Sequence, residues 1–216
     1  MLKAVIMDFD GLIIDTEVVW HRIYVDWFNK NKNYDLSIEE FLTCVGSSSE
    51  NLFRYFEERY NWTIDRKQFF KDTQSQFIKQ CETLPAKEGV ITFIQSVKNA
   101  GLKLSLATSA TRLKSVSQLT RLNLLDDFDL IVTSEDVKRI KPYPDLFLKT
   151  IEKLGVKKDE AIIIEDSLNG LIAGQNAGIN VLLIPNEVTK HSCFENYFGK
   201  EDSLKKVNIK EVMDKY

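Results

Sequence analysis

Two carboxylates stand two residues apart near the start of the chain, in the tetrapeptide Asp8-Phe9-Asp10-Gly11. They directly follow the apolar run Ala4-Val5-Ile6-Met7, which predicts a buried strand that ends at the acids. Carboxylates are seldom buried without partners, so a pair held against an apolar strand needs a compensating charge, most simply a divalent metal ion. A strand that ends in solvent beside incidental acids explains the tetrapeptide alone equally well.

Two hydroxyl side chains, Thr108 and Ser109, follow the apolar run 103–107 and precede a predicted helix over residues 111–122. Hydroxyl and amide groups at the start of a helix are suitable donors to an anion such as phosphate. The same residues also serve as an ordinary helix cap, and taken alone they favour neither role.

A lysine, Lys141, precedes the segment Pro142-Tyr143-Pro144-Asp145, whose prolines stiffen the loop before a predicted helix. Further on, the run 161–164 leads into Glu165-Asp166-Ser167, where acids again stand at a strand end. A solvated lysine and acids that favour the start of a helix explain each segment alone. Together, however, these segments would bring carboxylates, hydroxyls and a fixed cation to one edge of one sheet, which favours phosphate chemistry.

The spacing of apolar runs predicts five strands with amphipathic helices between them. Repeated strand-helix-strand units predict an α/β fold with a Rossmann-like parallel sheet that is covered on both faces. Ligands of such sheets bind at the carboxyl ends of the strands, where Asp8 falls. The predicted strands cover residues 4–7, 103–107, 130–132, 161–164 and 181–184.

The segment 15–84 shows helical stripes of apolar residues and no clear strand. We therefore expect an all-helical insert at residues 15–84, within a core domain formed by residues 1–14 and 85–216. Both ends of this helical insert lie beside the predicted site, which suits a mobile lid. Its aromatic stripes are interpreted as the core of the insert rather than as ligand contacts. The first stripe consists of Trp20, Ile23, Tyr24, Trp27 and Phe28.

Composition limits the class of protein. Hydrophobic residues make up 44% of the 216 residues, enough for a proper core, which excludes a disordered chain. A net charge of -3 gives no electrostatic support for a nucleic-acid or anionic-membrane partner. Cys44, Cys81 and Cys193 are too far apart to predict a disulfide framework or a zinc site. The first apolar run breaks at Asp8, too early for a signal peptide, so we expect a cytoplasmic protein.

The segments resemble, in order and spacing, the four sequence motifs of the haloacid dehalogenase superfamily, across almost the whole chain. The tetrapeptide 8–11 resembles the first motif, Thr108 the second, Lys141 the third, and Glu165-Asp166 the fourth. Lys-Pro-x-Pro-Asp followed by Glu-Asp-Ser is typical of the subgroup that contains β-phosphoglucomutase and many sugar-phosphate phosphatases. The helical insert is similar to the mobile cap of that subgroup.

The resemblance implies a two-step reaction. Asp8 would attack phosphorus and form an aspartyl-phosphate, while Asp10 acts first as general acid and then as general base. Lys141 would pair with Asp8 and with a phosphate oxygen. Thr108 and the backbone N–H of Ser109 would bind another phosphate oxygen as negative charge builds up.

The resemblance also implies a bound Mg²⁺ ion as cofactor. Its protein ligands would be Asp8, Asp166 and the backbone carbonyl of Asp10. Glu165 would either ligate the ion or support its ligands from outside. The ion would offset the repulsion between the attacking carboxylate and the phosphate.

Recognition of the rest of the substrate would fall to the insert, at Glu17, Trp20, Gly46 and Ser47. Mutases of the subgroup carry a histidine where this chain has Trp20. They also carry an arginine for a second phosphate in the loop that here reads Val45-Gly46-Ser47-Ser48-Ser49. Losing that arginine would weaken the binding of a bisphosphate.

A phosphatase that acts on a small phosphorylated metabolite, such as a sugar or polyol phosphate, is therefore favoured over a β-phosphoglucomutase-like hexose phosphomutase. A catalytically silent binding or regulatory protein is a third alternative, although such a protein has little need to keep all four motifs. We expect a monomer whose partner is a small-molecule phosphate ester, with no nucleic acid and no membrane.

Overall fold

A six-stranded parallel sheet forms the centre of the computed structural model, which describes residues 1–216. The strands lie in the order β3-β2-β1-β4-β5-β6, so β1 is flanked by β2 and β4. The predicted α/β fold is confirmed, with the fourth predicted strand one residue longer, the fifth shifted by one residue, and a short sixth strand added. The strands are β1 (Ala4–Met7), β2 (Lys103–Ala107), β3 (Leu130–Val132), β4 (Ala161–Glu165), β5 (Asn180–Leu183) and β6 (Gly199–Lys200).

Nine α-helices accompany the sheet. Four of them lie in the helical insert: α1 (Thr16–Lys32), α2 (Ile38–Leu42), α3 (Ser49–Tyr60) and α4 (Arg66–Cys81). The other five are α5 (Val90–Asn99), α6 (Arg112–Arg121), α7 (Asp145–Leu154), α8 (Leu168–Ala177) and α9 (Ile209–Asp214).

The alternation of side chains along each strand creates two hydrophobic layers, one on each face of the sheet. Val5 and Met7 point into the layer that also contains the apolar faces of α5 and α9. Ala4 and Ile6 point into the opposite layer, which is closed by α7 and α8. All four side chains are fully buried. Helices therefore cover both faces of the sheet.

The helical insert has a hydrophobic cluster of its own. Tyr24, Trp27 and Phe28 of α1 pack against Phe69 of α4, with ring centres 4.8 to 6.4 Å apart. These residues belong to the core of the insert, as interpreted from the sequence. Trp20 differs, because it is only half-buried and stacks on Phe77 of α4.

No helix has the length and apolar character that a membrane crossing requires. The three cysteines are unpaired. The region after Lys200 forms a short turn and α9, which packs against α5.

Candidate active site

Polar side chains from three neighbouring strands meet at one edge of the sheet. Asp8 follows β1, Thr108 follows β2, and Glu165 is the last residue of β4, with Asp166 directly after it. The strands are in register there, since Met7 pairs with both Leu106 and Ile164. The parallel sheet therefore brings together the polar residues of the first, second and fourth sequence motifs. Asp8, Thr108, Glu165 and Asp166 are all buried.

Lys141 connects two of these carboxylates. Its ammonium group donates to Oδ1 of Asp8 and to Oε1 of Glu165, the latter at 2.5 Å, and the side chain is fully buried. Burial alone would lower the pKa of Lys141, but the two carboxylates outweigh it and leave the pKa raised. The Lys141-Pro142 peptide bond is cis. Lys141 is therefore a fixed, permanently charged partner of Asp8.

Both carboxylate oxygens of Glu165 accept hydrogen bonds. While Oε1 accepts from Lys141, Oε2 accepts from the backbone N–H of Asp166 and from both the N–H and the hydroxyl of Ser167. The Ser167 hydroxyl in turn accepts from the N–H of Gly170 and caps α8. The start of α8 thus fixes the carboxylate that positions Lys141.

Three carboxylates, those of Asp8, Glu165 and Asp166, each offer an oxygen within 4.8 Å of the others. Burial, followed by repulsion from Glu165, raises the pKa of Asp8 to about 7 and that of Asp166 well above its usual range. Asp166 Oδ2 accepts from Asn186 at 2.7 Å, whereas its buried Oδ1 has no partner. Clustered, hard oxygen donors with one unsatisfied atom fit a divalent cation such as Mg²⁺.

The carboxylate of Asp10 points away from this cluster. Its Oδ1 accepts from the hydroxyl of Thr16 at 2.5 Å and from the ammonium of Lys114 at 2.6 Å. The side chain therefore stands between the core and the helical insert, separate from the three clustered carboxylates. Such a position leaves only the backbone carbonyl of Asp10 for the metal contact that the resemblance implies.

Three residues around the acids were not among the predicted ones: Thr16, Lys114 and Asn186. Asn186 follows β5 by three residues, so the strand-end rule that gave Asp8 and Thr108 could have found it. Lys114 lies in the first turn of α6, where a cation is disfavoured by the helix dipole unless an acid compensates it. That unfavourable placement is the sequence signal for its pairing with Asp10.

A cavity of about 280 Å³ lies above the acids, between the core and the helical insert. The four predicted insert residues all line it, together with four of the predicted core residues. The insert contributes Glu17, Trp20, Gly46 and Ser47, and the core contributes Asp8, Asp10, Thr108 and Ser109. Lys114 is the only basic side chain in the lining, and it is already paired with Asp10.

The loop before α3 docks directly onto the core. The Ser109 hydroxyl donates to the carbonyl of Gly46 at 3.1 Å, and Ser47 donates to the carbonyl of Lys141. Gly46 has a φ of +72°, and a Cβ there would lie 2.1 Å from Oγ of Ser167. Only glycine fits this approach, so the loop closes one side of the cavity.

Glu17 faces the same cavity from the first turn of α1. Burial, followed by repulsion from Asp10, raises its pKa to about 8, although Lys114 opposes this. The raised pKa favours the protonated form of Glu17 near neutral pH, and that form has a hydroxyl available to donate towards the cavity.

We expect Gly46→Ala to loosen the docked loop, because the added methyl group collides with Ser167 and the positive φ is strained. Amide hydrogen exchange of residues 43–49 should rise by about tenfold, equivalent to roughly 1.4 kcal/mol of local opening. The matched control is Gly155→Ala, which has a similar φ of +67° but open space around the Cβ position. Unchanged exchange in Gly46→Ala would show that the loop adapts without undocking.

We expect Glu17→Gln to remove part of the pH dependence of stability. The folded-state pKa of about 8 lies above the ordinary value of 4.5, so this contribution is complete below about pH 4.5 and is lost as the pH rises through 8. Urea unfolding should give similar stabilities for both proteins at pH 4.5, and a variant more stable by on the order of 5 kcal/mol at pH 9. Parallel pH profiles would contradict the buried, protonated state.

Comparisons with known proteins agree on one family for this chain. Residues 5–184 match the family model described as haloacid dehalogenase-like hydrolase. The chain is 32% identical to "Putative phosphatase YhcW" of Bacillus subtilis, over 99% of this chain and 97% of that protein. It is 29% identical to "Phosphorylated carbohydrates phosphatase" of Thermotoga maritima, over 82% of each chain.

A solved structure shares the fold. The β-phosphoglucomutase of Clostridium difficile superposes with a TM-score of 0.82 at 21% identity, covering 100% of this chain and 97% of that chain. The family match spans strands β2 to β5, all but the first residue of β1, and all four motifs. The chain therefore belongs to the haloacid dehalogenase-like hydrolases.

Proposed function

We propose that the protein is a Mg²⁺-dependent phosphatase that releases inorganic phosphate from a small sugar or polyol phosphate. The observation that carries this proposal is the buried bridge from Lys141 to Asp8 and Glu165, beside Asp166. Membership of a hydrolase family with relatives named phosphatases supports a phosphoric monoester hydrolase. The relative named for phosphorylated carbohydrates supports the substrate class.

Asp8 is the nucleophile in this proposal. Lys141 holds Oδ1 of Asp8, so Oδ2 is the oxygen left to attack phosphorus. A bond forms between that oxygen and phosphorus, the bond to the leaving oxygen breaks, and an aspartyl-phosphate results. Lys141 keeps the carboxylate in the line of attack throughout.

Asp10 moves the protons. Thr16 and Lys114 both bind its Oδ1, which leaves Oδ2 to face the substrate. Asp10 gives a proton to the leaving oxygen in the first step and takes one from the attacking water in the second. Because a sugar alkoxide is a poor leaving group, the first proton transfer matters most for such substrates.

The phosphoryl group gathers negative charge that the site has to stabilise. The Thr108 hydroxyl and the Ser109 amide, which follow the end of β2, would donate to its oxygens. A Mg²⁺ ion held by Asp8, Asp166 and the backbone carbonyl of Asp10 would polarise the phosphate and offset the buried negative charge. Glu165 supports Lys141 beside that site.

The lining of the cavity favours hydrolysis over a phosphomutase reaction. A mutase has to hold a second phosphate, but no arginine lines the cavity and its one lysine is paired with Asp10. The protonated Glu17 and the indole of Trp20 suit hydroxyl groups and the C–H face of a sugar instead.

We expect metal-dependent phosphate release from a panel of sugar and polyol phosphates. Asp8→Asn should reduce kcat by about 10⁴-fold or more because it removes the nucleophile, and EDTA should abolish release. Asp202→Asn, which changes a fully exposed acid, is the matched control and should keep the wild-type rate.

The same assay separates the alternatives. Isomerisation of a hexose 1-phosphate after addition of a bisphosphate, without phosphate release, would identify a mutase. No turnover of any phosphate ester with Mg²⁺ would identify a silent binding protein. Full activity of Asp8→Asn would overturn the assignment of the nucleophile.

We expect Lys114→Met to reduce turnover by an amount that depends on the leaving group of the substrate, because Lys114 positions the proposed acid, Asp10. For a sugar phosphate kcat/KM should fall by about tenfold or more, since the alkoxide needs the proton from Asp10. For p-nitrophenyl phosphate, whose leaving group departs as a stable anion, the fall should be smaller. Lys71→Met, on an exposed face of α4, is the control. Equal losses for both substrates would show that Lys114 does not act through Asp10.

A further inference from the structure

A second cleft adjoins the cavity above the acids. It measures about 530 Å³ and lies between α4 of the helical insert and α6 of the core. Trp20, Phe70 and Lys114 line both spaces, so the cleft and the cavity share a wall. We call it the α4–α6 cleft.

The walls of the α4–α6 cleft are unusually apolar for a surface feature. Of the eight large hydrophobic side chains exposed on the protein, three line this one cleft: Phe70 at 40% exposure, Ile78 at 50% and Leu113 at 82%. Phe77 adds a buried ring, which stacks on Trp20 at 3.8 Å. Exposed apolar side chains that converge on one concavity mark a binding site rather than random surface.

The cleft lies within reach of the phosphate chemistry. The ammonium of Lys114 is 2.6 Å from Asp10 and 4.8 Å from the centre of the Phe77 ring. One lysine head group thus separates the proposed acid–base residue from the aromatic wall. A leaving group that starts at the phosphate and extends past Lys114 therefore enters the α4–α6 cleft.

The apolar walls of the α4–α6 cleft favour one kind of ligand group over another. A polyol chain would lose the hydration of its hydroxyls against apolar side chains, whereas a planar ring gains from stacking on Phe70. At the rim, the Gln74 amide makes no hydrogen bond within the protein and is available to polar atoms on the edge of such a ring. A heteroaromatic ring can both stack on the apolar wall and form hydrogen bonds at the rim.

We infer that the α4–α6 cleft is a leaving-group subsite for a heteroaromatic ring, so that the substrate class is a sugar phosphate bearing such a ring, as in a nucleoside 5′-monophosphate. This inference rests on the proposed phosphatase function and deepens it. Phosphate is bound above Asp8, the sugar lies beside Trp20 and Glu17, and the base lies against Phe70 and Leu113.

The test compares nucleoside 5′-monophosphates with ribose 5-phosphate, which has the same phosphate and sugar but no base. Wild-type kcat/KM for phosphate release should be at least about tenfold higher for the nucleotides. Phe70→Ala and Leu113→Ser should each reduce that ratio to below about threefold. Ile91→Ser changes an apolar residue on α5, outside the cleft, whose 49% exposure lies between those of Phe70 and Leu113, and should keep the wild-type ratio.

Calorimetry with the Asp8→Asn protein in Mg²⁺ gives a readout that does not need turnover. Nucleotides should bind at least about tenfold more tightly than ribose 5-phosphate, and Asp8→Asn combined with Phe70→Ala should lose that preference. Equal binding of the two ligands, or equal loss for both in the variant, would overturn the subsite. Preferential nucleotide binding without any phosphate release by wild-type protein would retain the subsite and reject the phosphatase.

Discussion

The ion pair that the site depends on most is the buried contact of Lys141 with Asp8 and Glu165. Three carboxylates meet at one end of the sheet, and Lys141 is the one cation that shares their buried environment. Removing ions from water costs several kcal/mol each, and one ammonium group does not offset three carboxylates. Burial, together with the excess of negative charge, therefore raises the pKa values of Asp8 and Asp166. A divalent cation held by these carboxylates would supply the positive charge that the arrangement lacks.

The two acids of the first motif occupy separate environments although only one residue stands between them. The chain leaves β1 after Met7, so Asp8 remains over the sheet while Asp10 turns towards the helical insert. Asp8 is held by a buried lysine, and Asp10 is held by Thr16 and Lys114 at the partly exposed junction with the insert. Different surroundings allow two neighbouring carboxylates to take the different roles proposed for them, Asp8 as nucleophile and Asp10 as acid and base.

Much of this arrangement could be predicted from sequence because it follows from local patterns. The apolar runs fixed the strand positions to within one residue, and a parallel sheet places Asp8, Thr108 and Asp166 at one edge. The burial of Lys141 could be anticipated only in part, since the prolines indicate a stiff loop but not its direction. Helical spacing alone groups Trp20 with the core of the insert, whereas the family resemblance predicts a substrate contact there, and Trp20 does line the cavity.

The pairing of Lys114 with Asp10 and the α4–α6 cleft depend instead on how the insert packs against the core. The two partners in the pairing are 104 residues apart. Helical periodicity shows that α4 and α6 each have an apolar face, but it does not show that Phe70 and Leu113 face the same space. Such contacts between the helical insert and the core are set by tertiary packing, which local sequence patterns do not encode.

The proposed phosphatase reaction requires Asp8 to carry the phosphoryl group between the two steps. The most direct test is to mix the protein with Mg²⁺ and a turned-over phosphate ester, quench in acid within milliseconds, and map the modified peptide by mass spectrometry. Phosphorylation of Asp8, formed and lost at rates that match turnover and absent in Asp8→Asn, is the predicted result. Turnover at the full rate without any phosphorylated Asp8, or with the phosphoryl group on another residue, would contradict the account.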